Sequence, residues 1–474
     1  MMSASAPAPT YSAPKASPVA LLILLLPIVG LAAACAVLLG TPGRLFAGAL
    51  LGLVAVGLTL YDIRIGLGLF ALLTGLSPEL SIGPLTDLRL EDLLFPVLLV
   101  AWVLQRRTGE PRPGFATPFT APMVALLLWS LVVTVLGIGL GTVPSPVGAF
   151  FRLVKYAEYY LIFFLVYNNV TSTRDARGLA LAVVLAAAVT GLYGIATGHT
   201  GGDGELRATG PLGEAYNIFA GYLNQGVAVA VALALASRSG RWRLLLGAAA
   251  LALVVSVLYT HSREGYVMLA AVLGVLGTRG FRVLLLVGVV LVFLGPAVLP
   301  RQFQARISDT VIKIQNSRTD SPGGNSLTAR YYAWRYRWNG WFVRHPIQGN
   351  GVGSIPFSVD NQYLLVLVEV GVVGFALFLW LLARVGLLLA RTSRELRGTF
   401  AGVLVMGVLA ALIGMLVQGM AATNFVAIRT SEMFWFLMGL AMATARLSAA
   451  VGHVPAPAIT WVSRPNPERS SWRL

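Results

Sequence analysis

Four arginines and one carboxylate carry the chemical interest of this 474-residue chain: Arg207, Arg263, Arg330, Arg337 and Asp360. Guanidinium groups grip phosphate oxygens in pairs and stay charged at any physiological pH. Arg207 and Arg263 each fall within a few residues of an apolar stretch, where a cation at the membrane surface needs a partner. A lipid phosphate could satisfy either one. A diphosphate ester suits such a set, because fixed cations stabilise the charge that develops on a departing diphosphate. The reaction also needs a base near the attacking hydroxyl, so two or three arginines and one base would make a sufficient set. The chain has no D-x-D pair and no H-E-x-x-H, so the sequence calls for no metal and no other cofactor.

The elements that must position these residues are membrane helices. The chain is 57% hydrophobic, only 11% charged, and has a mean hydropathy of +0.78. Apolar stretches of about 20 residues, the length that crosses a bilayer as a helix, recur along it. The expected fold is an all-α polytopic membrane protein with about 12–14 transmembrane helices and one large external (periplasmic) loop. Spans are read at 18–40, 44–61, 65–81, 90–105, 119–141, 150–168, 177–198, 215–236, 242–259, 265–278, 281–299, 362–384, 399–420 and 431–447. Residues 1–17 and 448–474 read as cytoplasmic tails, the first disordered, around a membrane domain at 18–447. The single cysteine, Cys35, excludes intrachain disulfides.

Charge sets the orientation. Basic clusters at Arg106–Arg112, Arg174–Arg177, Arg238–Arg243, Arg279–Arg282 and Arg384–Arg397 all fall on one side of this span order, which is therefore cytoplasmic. The net charge of +16 arises largely from these clusters and implies no nucleic-acid partner. The exception is the external loop at 300–361, with eight cations against three acids. Such an excess suits an anionic partner or the headgroups of membrane lipids. Within the loop, Arg330, Trp334, Arg337 and Trp341 recur at helical spacing. An amphipathic helix of that kind can lie at the interface or stack its rings on sugars. Lys155 and Glu158 share a helical face and are expected to pair; Glu369 is expected to face other helices and be hydrogen-bonded. Ionisable residues within the spans otherwise read as few.

The segment HPIQGNGVGSIPFSVDNQYLLVLVEVGVVG, from His345 to Gly374, resembles the junction of loop and span in the bacterial O-antigen ligase and O-antigen polymerase superfamily. The ligase motif is His, then Asn, Ser or Gln, nine residues, Gly, two residues, and Gly, Thr or Tyr; this chain has Asp360, Asn361, Gly371 and Gly374 at that spacing. Asp replaces the motif His. RATGPLGEAYNIFAGYL from Arg207 and THSREGYVMLA around Arg263 look like further family segments, in the expected order. The resemblance covers roughly 150–445 and implies a glycosyltransferase that takes a glycan from undecaprenyl diphosphate at the outer face of the bacterial inner membrane. Ligases pass it to lipid A–core, and polymerases to the next lipid-linked repeat unit. It implies that Arg207 and Arg263 hold the diphosphate and that Asp360 takes the base position, where a carboxylate accepts a hydroxyl proton as imidazole does. Apart from the resemblance, the charge of the loop makes Arg330 and Arg337 candidates to assist, His345 and His261 are fallback bases, and Asn361 and Trp341 are further candidates for substrate binding. The missing motif His tilts the expectation towards a polymerase of O-antigen or exopolysaccharide, with a chain-length regulator as a possible partner. A lipid-linked glycan transporter is the alternative of another class.

Overall fold

The computed structural model describes residues 40–77, 80–82, 85–106, 114–200, 206–211, 215–278, 326–355 and 359–450. Within them the chain is an all-α polytopic membrane protein. The helices are α1 (Gly40–Tyr61), α2 (Ile63–Leu76), α3 (Leu90–Arg106), α4 (Thr120–Gly139), α5 (Pro146–Asn169) and α6 (Thr173–Ala196). They continue as α7 (Tyr216–Ala236), α8 (Gly240–Tyr259), α9 (Arg263–Thr278), α10 (Ser326–Arg337), α11 (Gln362–Glu395), α12 (Phe400–Gln418) and α13 (Ile428–Ala450). Strand pairing is confined to two short antiparallel ribbons, β1 (Leu80–Ile82) with β2 (Leu85–Leu88) and β3 (His199–Thr200) with β4 (Leu206–Arg207).

Seven of these helices, α4, α6, α7, α8, α11, α12 and α13, are long and apolar enough to cross a membrane. Twelve of the fourteen spans read from the sequence coincide with a helix; 18–40 (apart from Gly40), 281–299, the first part of the long loop and the tail residues 1–17 and 451–474 lie outside the described residues, and 448–450 continue α13. α7, α12 and α13 form the buried centre, and α4 and α8 carry exposed leucines and valines on the rim. Small residues let the central helices approach: a Cβ at Gly439 of α13 would stand 2.7 Å from the Phe163 carbonyl of α5. The starts of α3, α5, α7, α9, α11 and α13 share one end of the bundle, called the site end below.

One helix is interrupted. Gly371 sits in α11 with φ 66° and ψ −173°, a conformation open to glycine. A break inside a membrane helix frees backbone groups that lipid cannot satisfy. Here the loop His345–Gly353 lies against the break and takes them up. Asn350 N donates to Val368 O at 3.0 Å, Gly351 N to Glu369 O at 2.8 Å, and Val372 N to Pro346 O at 2.9 Å. Trp129 of α4 donates its indole N–H to Val370 O at 2.8 Å. A side chain on Gly371 would overlap the Ile347 carbonyl, and one on Gly349 the Glu369 carbonyl. The close neighbour of Gly371 is this loop, wedged between α4 and α11.

Candidate functional site

α10 lies over the site end and brings the chemistry-bearing segments together. The Arg330 guanidinium pairs with the Glu264 carboxylate on α9 and, through Nε, with Asp360 Oδ2 at 3.5 Å. Partial burial pulls the Arg330 pKa down, but Glu264 and then Asp360 outweigh it and raise it above the ordinary guanidinium value. Tyr216, the first residue of α7, lies within electrostatic reach of Arg330 and under the guanidinium of Arg207, 4.6 Å from its ring centre. Arg207 ends β4 and is mostly buried; the next residue, Ala208, donates its N–H to Tyr259 O at 2.8 Å, which fixes this strand to the end of α8. Arg207, Tyr216, Glu264, Arg330 and Asp360 thus form one connected group drawn from β4, α7, α9, α10 and the segment that leads into α11.

Asp360 has φ 45°, in the left-handed region that non-glycine residues seldom enter. Asp, Asn and His enter it more readily than other side chains, so the backbone here restricts the residue to a few polar types. Its side chain keeps 37% of its surface exposed, open to a ligand from solvent. Asn361 is committed to local structure: its Oδ1 accepts from Tyr363 N and Leu364 N, both at 3.0 Å, capping α11. Its Nδ2 donates to Met420 O at 3.1 Å.

Arg263 opens α9 and is half-buried beside Glu264 in sequence. His261, in the same turn, is 3% exposed with φ 54°. Its burial leaves it poorly placed to reach a substrate from solvent. His345 is half-buried in the wedge loop, its Nδ1 3.2 Å from Gln348 Nε2. Arg337 is 9% exposed, lies over the Tyr336 ring and has no hydrogen-bond partner at Nε among the described residues. The acids Asp203, Glu205 and Glu214 of the preceding external loop fall outside the described residues.

The regular helical spacing of Arg330, Trp334, Arg337 and Trp341 does not hold throughout. α10 gives way at Trp338–Phe342 to a π-helical turn, which rephases the side chains after Arg337. Trp334 and Trp341 pack on a small apolar cluster of Ile355, Val359, Leu364, Leu365 and Val368. The Trp334 indole also donates to Val359 O at 2.8 Å. Their rings therefore anchor α10 to the start of α11. The exposed rings are Tyr331, Tyr332, Tyr336 and Trp338. Tyr332, Arg335, Tyr336 and Asn339 line an open hollow of about 670 Å³.

Beneath this surface a narrow cleft of about 60 Å³ follows α11 inward from Gln362 to Leu382, walled by Tyr156, Tyr160, Phe378 and Trp435. Glu369 is the ionisable residue of that wall contributed by α11. It accepts from Gly353 N at 2.9 Å and pairs with Arg152 at 3.6 Å.

The sequence reading missed a second charged group. The expected pair, Lys155 Nζ to Glu158 Oε2, is formed at 2.9 Å on α5. The same ammonium also contacts Asp92 of α3 and lies 3.6 Å from Glu432 Oε1 of α13. Arg89 and Glu91, both buried, add a further pair at 3.9 Å. The view that the spans hold few ionisable groups is therefore corrected: three distant segments each contribute one or two, and only folding assembles them. The signal available was the placement of Glu91-Asp92 at the first turn of a span and of Glu432 in another. Ligand oxygens of Asp92, Glu158 and Glu432 lie within 4.8 Å of one another, close enough to hold a metal ion. The Lys155 ammonium already occupies their midst, so the arrangement is an ion-pair network built around a lysine.

No protein-family model matches this sequence, and no curated protein does.

Proposed function

We propose that this protein is a membrane glycosyltransferase that moves a glycan from undecaprenyl diphosphate to a sugar hydroxyl at the periplasmic face of the bacterial inner membrane. The observation that carries the reading is Arg330, which joins Glu264 and Asp360 at a single point open to solvent on the Asp360 side. Three segments singled out for chemistry from the sequence converge there. In the step envisaged, the bond from the sugar C1 to the diphosphate oxygen breaks and a bond from C1 to the acceptor oxygen forms. The acceptor's proton passes to the Asp360 carboxylate, and undecaprenyl diphosphate leaves with the electron pair. Arg207, Arg263 and Arg330 supply fixed positive charge where the leaving group gathers negative charge. The aromatic cleft along α11 suits the prenyl chain, and Tyr332 and Tyr336 offer faces for the acceptor sugars in place of Trp334 and Trp341.

Polymerisation of O-antigen or exopolysaccharide repeat units is the preferred form of this activity; ligation to lipid A–core uses the same chemistry. The test is the size and anchor of the glycan in a strain lacking the protein. Single repeat units on the carrier lipid or capping lipid A identify a polymerase. Full-length polymer stranded on undecaprenyl diphosphate, with bare lipid A–core, identifies a ligase. An unchanged glycan overturns both.

The Lys155 network favours one competing reading, transport, because buried ionisable groups mark ion or proton pathways in membrane proteins. Glycan transfer by the purified protein, abolished in Asp360→Ala and Arg263→Ala with lipid-linked substrate still bound, separates enzyme from transporter.

A further inference from the structure

We infer that the end of the bundle opposite the site binds an anionic phospholipid from the surrounding membrane. A cleft of about 1070 Å³ opens there between α6, α7, α8, α11 and α12. Arg177, Arg238, Arg243 and Arg397 line it, and no Asp or Glu among the described residues does. None of the four is ion-paired among the described residues, and all four are exposed. Arg64 shows the contrast at this same end: it is neutralised by Asp62 at 2.7 Å and Asp175 at 3.3 Å. Two of the cleft arginines are pre-positioned, Arg177 over the Phe400 ring at 5.0 Å and Arg243 by donating Nη2 to Ser237 O at 3.0 Å. α8 starts on the rim, where Ser239 makes no side-chain capping bond. Its first N–H groups and dipole add to the positive field.

The remaining wall selects the class of anion. Leu246 and Met406 are buried on it, and Trp242 stands half-exposed at the mouth. Leu244 and Leu245, on the same turn of α8, are exposed apolar residues, so the wall runs into the lipid-facing surface. A soluble phosphate gains nothing from aliphatic wall, whereas a phospholipid uses both halves, headgroup on arginine and chain on leucine. Basic pockets between helices at the cytoplasmic side, where the arginine-rich connections place this end, are suited to such headgroups.

The test uses the full-length protein exchanged into phosphatidylcholine vesicles with or without phosphatidylglycerol, followed by native mass spectrometry of the released protein. Phosphatidylglycerol is expected to remain bound where phosphatidylcholine does not. Arg238→Ala/Arg397→Ala should weaken that retention roughly thirtyfold, at two arginine contacts. Arg391→Ala/Arg394→Ala, at the same end but outside the cleft, should leave it unchanged. Equal retention of both lipids, or equal loss in both double variants, overturns the inference. So does full displacement of phosphatidylglycerol by inorganic phosphate, which would make the site one for a soluble anion.

Discussion

Two charged groups at the site end each gather carboxylates around one cation, arginine in the first and lysine in the second, yet differ in what they can do. Around Arg330 the side chains keep 21% of their surface at Arg330 and 37% at Asp360, while Glu264 keeps 9%. Around Lys155 nothing exceeds 8%. An exposed pair is held loosely by solvent-screened attraction, so its members can exchange one partner for another when a ligand arrives. A buried set is held by the penalty for separating its charges, which is large once water is gone. The first arrangement suits chemistry, and the second suits fixing α3, α5 and α13 against one another.

Removing the centre of the buried group should give the largest effect. Lys155→Met leaves Asp92, Glu158 and Glu432 without their shared cation and should cost about 3–5 kcal/mol, read as a lower unfolding temperature of the purified protein. Adding Glu158→Gln should restore part of the loss. If Lys155→Met unfolds at the wild-type temperature, the network is not a structural clamp and the transport reading gains.

Arg330→Ala should behave in the opposite way. Transfer should fall by about 10²–10³-fold, the size of effect seen when one stabilising donor is removed, while the unfolding temperature stays near that of wild type. A stability loss as large as that of Lys155→Met, with activity per folded molecule intact, would erase the distinction between the two groups.

Asp360 can be divided into charge and backbone contributions. Asp360→Asn keeps a side chain that tolerates the left-handed conformation and should lose transfer without losing stability. Asp360→Ala should lose transfer and, in addition, about 1 kcal/mol of stability from backbone strain, measurable by comparing the two unfolding curves. The smallest effect is expected at the exposed rings: Tyr332→Ala with Tyr336→Ala should raise the acceptor KM about two- to fivefold, leaving kcat unchanged.

The helices were legible because each span carries its own signal: length, hydropathy and the basic connections that set phase. α9 was recognisable although it is only 16 residues long. The convergence of Arg330 with Asp360 was half-legible. Both were singled out from the loop's charge and the motif-like spacing, but Glu264 was left without a role, because the partner of a charged residue across a fold leaves no mark in local sequence. The π-helical turn after Arg337 was invisible for a related reason. Helical spacing predicted a continuous face through Trp341, and the packing of Trp334 and Trp341 beneath α10 prevailed over it. The Lys155 network was hidden most completely, since its members come from residues 92, 155, 158 and 432.

The interruption at Gly371 also has a consequence for biosynthesis. The wedge loop leaves the ribosome just before α11, so the interrupted helix meets its missing hydrogen-bond partners as it is made. α4 is in the reverse position. Thr134 accepts from Val352 N at 3.0 Å, and Trp129 donates to Val370 O; both partners are synthesised more than two hundred residues later. A nascent chain halted before residue 350 therefore holds α4 without the seam that closes it, and that edge of the bundle is sealed only late in translation.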